Sequence, residues 1–495
     1  MIDKLSLIVV SPEILLLVMA CVIALVDLGV KSRLRDLTYW LTMGTLAVVA
    51  WFCADFAMRG ETLYAFGKMV VSDPMGNWLK CFATLAMMVC MVYGRPYAGD
   101  RGMLGGGEMF TLAMLSLLGI FVMISGSNFL VIYLGLELLT LCSYALVALR
   151  RDNATATEAA MKYFVLGAMA SGFLLYGLSM MYGATGSLDI ETVFKIIQSG
   201  QVKHSVLVFG LVFVVAGLAF KLGAAPFHMW IPDVYQGAPT SITVMLGSAP
   251  ELAAFAICIR LLVEGMIPLA VDWQQMLIVL AVASLFVGNL AAIAQTNLKR
   301  MLAYSTIGQM GFVLLGLASG VVNGNTLNAQ DAYSAAMFYI VTYVLTALAS
   351  FGIILLLARE GFESEEIADL AGLNQRSPLY AGVMAICLFS LAGVPPLVGF
   401  YGKLVVLEAL VASGSGFYIG LAIYAVLMSL VAAFYYLRVV KVMYFDAPIT
   451  ATTVAAPIDV RVVLTVNGAL VLILGILPGG LMTLCSQAIL KTLGS

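Results

Sequence analysis

The sequence has 495 residues, of which 62% are hydrophobic and only 11% are charged, with a formal net charge of −2. A soluble domain of this length would not be so apolar, so we predict an all-α polytopic membrane protein. Eight cysteines lie singly in apolar stretches, and only two histidines, His204 and His228, are present. Without ligands at usable spacing, a GxGxxG motif or a complete P-loop, no cofactor or metal is expected in this chain.

Apolar stretches of membrane-crossing length predict about fourteen transmembrane segments, called spans 1 to 14 in chain order. Their approximate ranges are 5–28, 37–58, 74–94, 109–126, 128–149, 160–183, 205–233, 241–263, 273–294, 301–320, 332–358, 378–412, 416–440 and 462–487. Glycine and proline interrupt spans 7 and 12, which we therefore predict to be discontinuous.

Basic residues concentrate in the loops that follow the odd-numbered spans. They are Lys31, Arg33, Arg35, Arg95, Arg101, Arg150, Arg151, Lys299, Arg300, Arg359, Arg376, Arg438, Lys441 and Arg461. The opposite loops are poorer in positive charge, and 321–331 and 411–417 contain no lysine or arginine. The positive-inside rule then predicts that both termini lie on the outer side, which agrees with an even number of spans.

Span 7 combines a deep charge with a broken backbone. Its apolar run ends at Lys221, and Gly223, Pro226 and Pro232 follow. A lysine at the centre of a membrane costs about 2.5–3.5 kcal/mol, and irregular backbone at that depth is tolerated only within protein or beside a wet cavity. This combination predicts part of an ion path. The alternative is a lysine that snorkels to the interface, which the depth of Lys221 disfavours.

Span 12 repeats the pattern five spans later, with Pro395, Pro396, Gly399 and Lys403. Five spans is an odd number, so the two broken segments run in opposite directions. Paired interruptions of this kind are typical of an inverted-repeat transporter. We predict spans 1–3 in residues 1–107, two inverted five-helix repeats in 108–266 and 267–445, and the last span in 446–495.

Four charged residues within the spans are the candidates for a proton relay: Glu137, Lys221, Glu251 and Lys403. Glu137 has apolar residues on both sides in span 5, and Glu251 lies about ten residues into span 8. An unpaired carboxylate there would be protonated, whereas a nearby lysine would keep it charged. The alternative is a static buried ion pair that fixes helix packing. His228, in the interruption of span 7, is a weaker candidate.

Other charged residues lie closer to the ends of spans. Lys162, Arg260 and Lys299 are in such positions, so we expect their side chains to snorkel to the interface.

The stretches FKLGAAPFHMWIPDVYQGAPT, NLKRMLAYSTIGQMGF and LAGVPPLVGFYGK closely resemble the antiporter-like subunits of respiratory complex I. The resemblance covers spans 4 to 13 strongly and the flanking spans by count only. It implies a fourteen-helix fold in the bacterial inner membrane and proton pumping driven by quinone reduction elsewhere in the complex. Its implied partners are other membrane subunits, the lipid bilayer and protons, without nucleic acid or direct NADH binding. Glu137, Lys221 and Lys403 match the family's ionisable positions.

Two positions depart from the family pattern. Glu251 stands where the family usually has lysine, and Gln309 stands in a region where histidine is common. The first change reverses a charge, so either the relay works with a carboxylate or this chain is less active. The main alternative function is an Mrp-type cation/proton antiporter subunit, although the DVYQGAPT stretch and the modest length favour complex I. An inert scaffold and a small-solute transporter are the other classes considered.

Overall fold

Helices dominate the computed structural model, which describes residues 4–322, 324–359, 361–448, 454 and 456–494. The predicted ranges 1–107 and 446–495 therefore include a few positions outside the described residues, whereas spans 1 and 14 lie within them. The α-helices are α1 Lys4–Val9, α2 Ser11–Asp27, α3 Asp36–Arg59, α4 Pro74–Asp100, α5 Glu108–Ser125, α6 Phe129–Val147, α7 Ala154–Thr185, α8 Ile190–Gln198, α9 His204–Lys221, α10 Trp230–Gly237, α11 Thr240–Leu246, α12 Ala249–Cys258, α13 Ala270–Ile293, α14 Leu298–Ala318, α15 Ala329–Leu357, α16 Leu373–Arg376, α17 Pro378–Ala392, α18 Val398–Ala412, α19 Gly416–Phe445, α20 Ile458–Ile476 and α21 Gly479–Leu493.

Shorter elements join these helices. A π-helical turn, Ile259–Gly265, follows α12, and 3-10 turns occupy Ile267–Leu269 and Ile367–Leu370. A small antiparallel hairpin, β1 Leu63–Ala65 and β2 Val70–Ser72, connects α3 to α4. The sequence analysis did not predict this hairpin.

Within the described residues, twelve helical segments are long and apolar enough to cross a membrane. They correspond to spans 2 to 11, 13 and 14. Spans 1 and 12 are each divided into two shorter helices, α1 with α2 and α17 with α18. The predicted all-α polytopic membrane architecture is confirmed.

The two predicted interruptions are both present. Span 7 is divided between α9 and α10, and span 12 between α17 and α18. Shortly after each first half, a glycine adopts the left-handed conformation, with φ of 62° at Gly223 and 89° at Gly393. Residues with a side chain rarely adopt this conformation, so these glycines allow the chain to leave the helix at those points.

Three further interruptions correct the predicted spans. Span 8, expected to be one helix, is interrupted at Gly247 and Ser248 between α11 and α12. Pro250 explains this break because its ring clashes with the carbonyl group four residues earlier and its nitrogen cannot donate a hydrogen bond. The predicted span 14 is two helices separated at Pro478, and span 1 is interrupted shortly before Pro12.

The spans differ greatly in how much protein surrounds them. In spans 8 and 10, 94% of the most apolar window is buried within the protein, against 28% in α19 and α20. Spans 8 and 10 therefore form the middle of the bundle, while α19 and α20 lie at its edge. Charged side chains in spans 8 and 10 must find partners inside the protein, because lipid and water are both distant.

Loops rich in basic residues meet on one face of the bundle. Arg101 and Arg150 each contact Glu363 at 3.0 Å, which joins the loops after α4, α6 and α15. Tyr97 also donates a hydrogen bond to Glu363 at 2.8 Å. Burial raises the pKa of Glu363, but the hydrogen bonds from Arg101 and Tyr97 outweigh it and hold the pKa below its usual range. This carboxylate is therefore ionised at neutral pH.

Candidate functional site

Lys221 is the last residue of α9, immediately before the interruption of span 7. Its Nζ atom is buried and has no hydrogen-bond partner among the described residues. An isolated charge is costly in such a place, so the ammonium depends on whichever acidic group approaches it. Glu137 is one such group, since its carboxylate interacts electrostatically with Lys221.

Glu137 lies near the middle of α6. Its Oε1 atom is also buried without a hydrogen-bond partner in the described part of the chain, and its carboxylate interacts with Tyr133 one turn earlier. No ion pair within 4.0 Å forms between Glu137 and Lys221, although both are fully described. Glu137 and Lys221 therefore interact electrostatically without forming an ion pair.

Glu251 is only 2% exposed and lies in the first turn of α12. The interruption at Pro250 thus places its carboxylate at the positive end of a helix dipole, where a negative charge is favoured. Its Oε2 atom has no hydrogen-bond partner among the described residues. The sequence predicts Glu251 within a continuous helix, so the nearby helix start corrects that prediction.

Lys221 and Glu251 line the same cavity, whose volume is about 20 Å³. Tyr163 and Trp230 lie against it as well. A water molecule needs about 10–15 Å³, so this space is large enough for one. The structure therefore brings Glu251 and Lys221 to the same cavity, although their charged groups are not within 4.0 Å of each other.

Lys403 differs from Lys221 in being fully hydrogen-bonded. Its Nζ atom donates to the carbonyl oxygens of Leu391 at 2.9 Å and Ala392 at 3.1 Å, and to Ser429 Oγ at 3.3 Å. The two carbonyl groups belong to the end of α17, where helix carbonyls lack partners within the helix and attract positive charge. Lys403 also lies after the break of span 12, whereas Lys221 lies before that of span 7.

Polar side chains of α14 and α15 fill the space between Glu251 and Lys403. Tyr343 interacts electrostatically with Glu251 and donates a 2.7 Å hydrogen bond to Thr306 Oγ1. One turn away on each helix, Tyr339 donates to Gln309, whose Nε2 atom donates to Leu391 O at 3.0 Å. That carbonyl group also accepts the hydrogen bond from Lys403.

From the sequence, Gln309 is only a departure from the family pattern, and no hydroxyl group of this region is a predicted site residue. The available signal was the spacing of Tyr339 and Tyr343 in α15, which places both rings on one face of that helix. Hydroxyl-bearing residues are so frequent in these spans that the spacing alone did not distinguish them.

His228 lies in the interruption between α9 and α10, as predicted. It does not line the cavity shared by Lys221 and Glu251. Its Nδ1 atom is buried without a partner in the described structure. The geometry therefore gives His228 no direct contact with the other candidates.

The expectation of snorkelling was wrong for two of three residues. Arg260 is buried and bonds to Asp73 at 2.5 Å and Glu264 at 2.6 Å, and Lys299 is buried against Glu365 at 2.9 Å. Burial of a charge is tolerated when it is paired and hydrogen-bonded. Lys162, with a side chain 44% exposed, is the one residue that extends toward the surface.

Comparison with known proteins identifies the family. Residues 126–429 match the family described as NADH:quinone oxidoreductase/Mrp antiporter, transmembrane. The chain is 71% identical over 491 residues to NADH-quinone oxidoreductase subunit N of Polaromonas naphthalenivorans, covering 99% of this chain and 98% of that protein. The chain belongs to the subunit N family. The subunit N of Herminiimonas arsenicoxydans is 59% identical over 100% of both chains.

Solved structures give the same result for the fold. A chain of respiratory complex I from Thermus thermophilus superposes with a TM-score of 0.79 at 30% identity, covering 95% of this chain and 98% of that one. A chain of the Mrp complex from Dietzia reaches a TM-score of 0.84 at only 18% identity, covering 98% and 97%. The second similarity shows the fold alone. The Mrp alternative therefore has less support than membership of complex I.

Proposed function

We propose that this chain is a proton-translocating membrane subunit of NADH:quinone oxidoreductase. Redox chemistry takes place elsewhere in the complex, and this subunit supplies buried ionisable groups through which protons cross the membrane. Support comes from the subunit N relatives and from the arrangement of Glu137, Lys221, Glu251 and Lys403 across the bundle.

One observation carries this proposal. Lys221 Nζ, Glu251 Oε2 and Glu137 Oε1 are all buried, and each lacks a hydrogen-bond partner among the described residues. A stable structural ion pair would satisfy such groups, because a buried unpaired charge is expensive. Groups that exchange protons must instead change partners. Lys221 and Glu251, which line one cavity, are suited to that task.

The order of groups suggests a lateral route. A proton would move from Glu137 to Lys221 and then to Glu251 through the small cavity. From Glu251 it would follow the hydroxyl and amide groups of α14 and α15 to Lys403. Its release would then be on the outer side of the membrane.

The same proposal includes orientation and internal symmetry. The contacts of Arg101 and Arg150 with Glu363 collect basic loops on one face, which supports an inner location for that face and outer termini. We further propose that 108–266 and 267–445 are inverted repeats in a multi-pass inner-membrane protein. The matching interruptions at Gly223 and Gly393 support this relation.

The experiment replaces Glu137 with Gln in the complete complex and measures protons pumped per electron in sealed vesicles. We expect a lower ratio with normal amounts of assembled complex, because the amide cannot take up a proton. Glu108→Gln, at the exposed start of α5, is the matched control and should leave the ratio unchanged.

Three results would contradict the proposal. An unchanged ratio in Glu137→Gln would place this carboxylate off the path. Loss of assembly would show that Glu137 acts as a structural residue. Pumping that requires Na⁺ would favour the Mrp-type antiporter function instead.

A further inference from the structure

Two of the stretches that carry the family resemblance also contain charged residues outside the relay. Asp233 belongs to α10, and Lys299 and Arg300 belong to the first turn of α14. In the structure these stretches meet, although more than sixty residues separate them in the chain. Arg300 Nη1 donates to Asp233 Oδ1 at 2.7 Å, and Lys299 Nζ donates to Ala238 O at 2.9 Å.

These contacts hold the second half of one short helix, α10. Arg300 also donates to Gln236 Oε1 at 3.0 Å, so the guanidinium bridges two side chains on successive parts of α10. Lys299 holds the carbonyl group immediately after that helix and is itself fixed by Glu365 at 2.9 Å. We call the contacts of Lys299 and Arg300 with α10 the inter-half clamp, since α14 lies in 267–445 and α10 in 108–266.

The other end of α10 lies against Lys221. The helix has eight residues and begins at Trp230, whose indole Nε1 donates a 3.0 Å hydrogen bond to the carbonyl oxygen of Phe220. That carbonyl belongs to the peptide bond preceding Lys221. The indole ring is also stacked on Tyr163, with centroids 4.8 Å apart, and on Phe220 at 5.5 Å.

A two-turn helix moves as a unit, so displacement of one end displaces the other. Trp230 also lines the cavity that Lys221 shares with Glu251. The ion pair that fixes the far end is not deeply buried, because the side chains of Arg300 and Asp233 are 28% and 33% exposed. Such pairs contribute little to the free energy of folding. We therefore explain this pair by the position that it gives to α10.

Asp233 also contacts a second basic side chain. Lys162 Nζ, in α7, lies 3.0 Å from Asp233 Oδ2, whereas Arg300 binds Oδ1. One carboxylate is thus shared between a lysine of the first half and an arginine of the second half. The position of α10 depends on both.

We propose that Arg300 and Asp233 are positioning residues, through which the second half of the subunit sets the place of Lys221 by way of α10 and Trp230. This inference rests on the proposed function, since it assigns to the clamp control over a relay lysine. Arg300 and Asp233 carry no proton in this scheme. Their effect reaches Lys221 through the hydrogen bond between Trp230 and the Phe220 carbonyl group.

The test uses two single variants and their combination in the complete complex. Arg300→Gln removes the charge at the clamp, and Trp230→Phe keeps a ring but removes the Nε1 hydrogen. Each should lower the protons pumped per electron and shift the pH profile of pumping, while the complex assembles normally. Arg300→Lys keeps the charge and should restore part of the loss.

The double variant measures whether the two residues act along one route. We expect Arg300→Gln with Trp230→Phe to lose no more than the larger single loss, because the second change acts on a connection that is already broken. Losses that multiply would overturn the proposal. Arg438→Gln is the matched control, since Arg438 binds the carbonyl groups of Ile293 and Gln295 and does not contact α10.

Lys221→Met separates this inference from the proposed function. If Lys221→Met abolishes pumping while Arg300→Gln pumps like the wild type, the clamp is refuted and the function stands. If Lys221→Met pumps normally, the proposed function itself fails. Should Arg300→Gln not assemble, Arg300→Lys and Trp230→Phe decide: normal pumping in both refutes the clamp, and reduced pumping in both supports it.

Discussion

The two broken spans place a lysine in very different surroundings. Lys221 ends the first half of span 7, and its Nζ atom has no hydrogen-bond partner among the described residues. Lys403 lies in the second half of span 12, and its Nζ atom has three, two of which are carbonyl groups at the end of α17. The same chemical group is therefore unsatisfied at one interruption and satisfied at the other.

This difference shows how each interruption affects its lysine. In span 12, the broken backbone exposes carbonyl groups that accept hydrogen bonds from Lys403 Nζ and hold it in place. In span 7, Lys221 Nζ has no such acceptor among the described residues, so its charge depends on nearby groups such as the carboxylates. We infer that Lys221 changes its interaction partners during proton transfer. Lys403 instead stays in one position and receives the proton later on the proposed route.

Replacing each lysine with Met should give the largest effects. We expect Lys221→Met and Lys403→Met both to reduce proton pumping about tenfold or more, since each removes one ionisable group of the proposed relay. The comparison also predicts a difference in assembly. Lys403→Met removes the lysine donor from the Ala392 carbonyl group and one of the two side-chain donors from that of Leu391, whereas Lys221→Met removes no hydrogen bond.

Complex abundance in membranes checks this difference, alongside protons pumped per electron. A lower yield for Lys403→Met than for Lys221→Met is the expected result. Equal yields would mean that the hydrogen bonds of Lys403 do not distinguish the two sites.

Changes at Glu251 test the partner of Lys221. Glu251→Gln should reduce pumping if the carboxylate carries protons, because the amide has the same size but cannot be protonated in that role. Glu251→Lys should retain or improve pumping if the lysine common in this family is the more competent group. The ratio of protons to electrons in reconstituted vesicles decides, and a wild-type ratio in Glu251→Gln would place this residue off the path.

Gln309 connects the polar groups of α14 and α15 to the second lysine. Gln309→Leu has a similar volume but leaves the buried Tyr339 hydroxyl unpaired, at a cost of about 1–3 kcal/mol. We expect a partial loss of pumping, smaller than that of either lysine variant. Gln330→Leu, whose amide bonds to Ser486 on the far side of α15, is the control and should pump normally.

The sequence predicted features that arise from short stretches of chain. The interruptions after Lys221 and before Lys403 were visible because glycine and proline act on the local backbone. Pro250 was equally visible, yet a single proline in a long apolar run was read as part of a continuous helix. The position of Glu251 at a helix start was therefore missed.

Contacts between distant parts of the chain were not predictable in this way. The sequence favoured snorkelling for Arg260 because its partner Asp73 is 187 residues away, and its nearby partner Glu264 is equally compatible with an exposed pair at the end of a helix. The pair of Lys299 with Glu365 was unpredictable for the same reason, since 66 residues separate them in the chain. A charge near the end of a span is compatible with either outcome until its neighbours are known.

Ser429→Ala should give the smallest effect of these changes, because it tests a single hydrogen bond of Lys403. It removes one of three acceptors from Lys403 and leaves both α17 carbonyl groups in place. A hydrogen bond to a charged group contributes about 1.5–3 kcal/mol, but this one is the longest of the three, and the ammonium can turn toward the remaining two. We expect normal assembly and a pumping ratio close to that of the wild type. If Ser429→Ala instead pumped as poorly as Lys403→Met, the carbonyl groups would not be what holds the lysine, and the contrast with Lys221 would rest on the hydroxyl group alone.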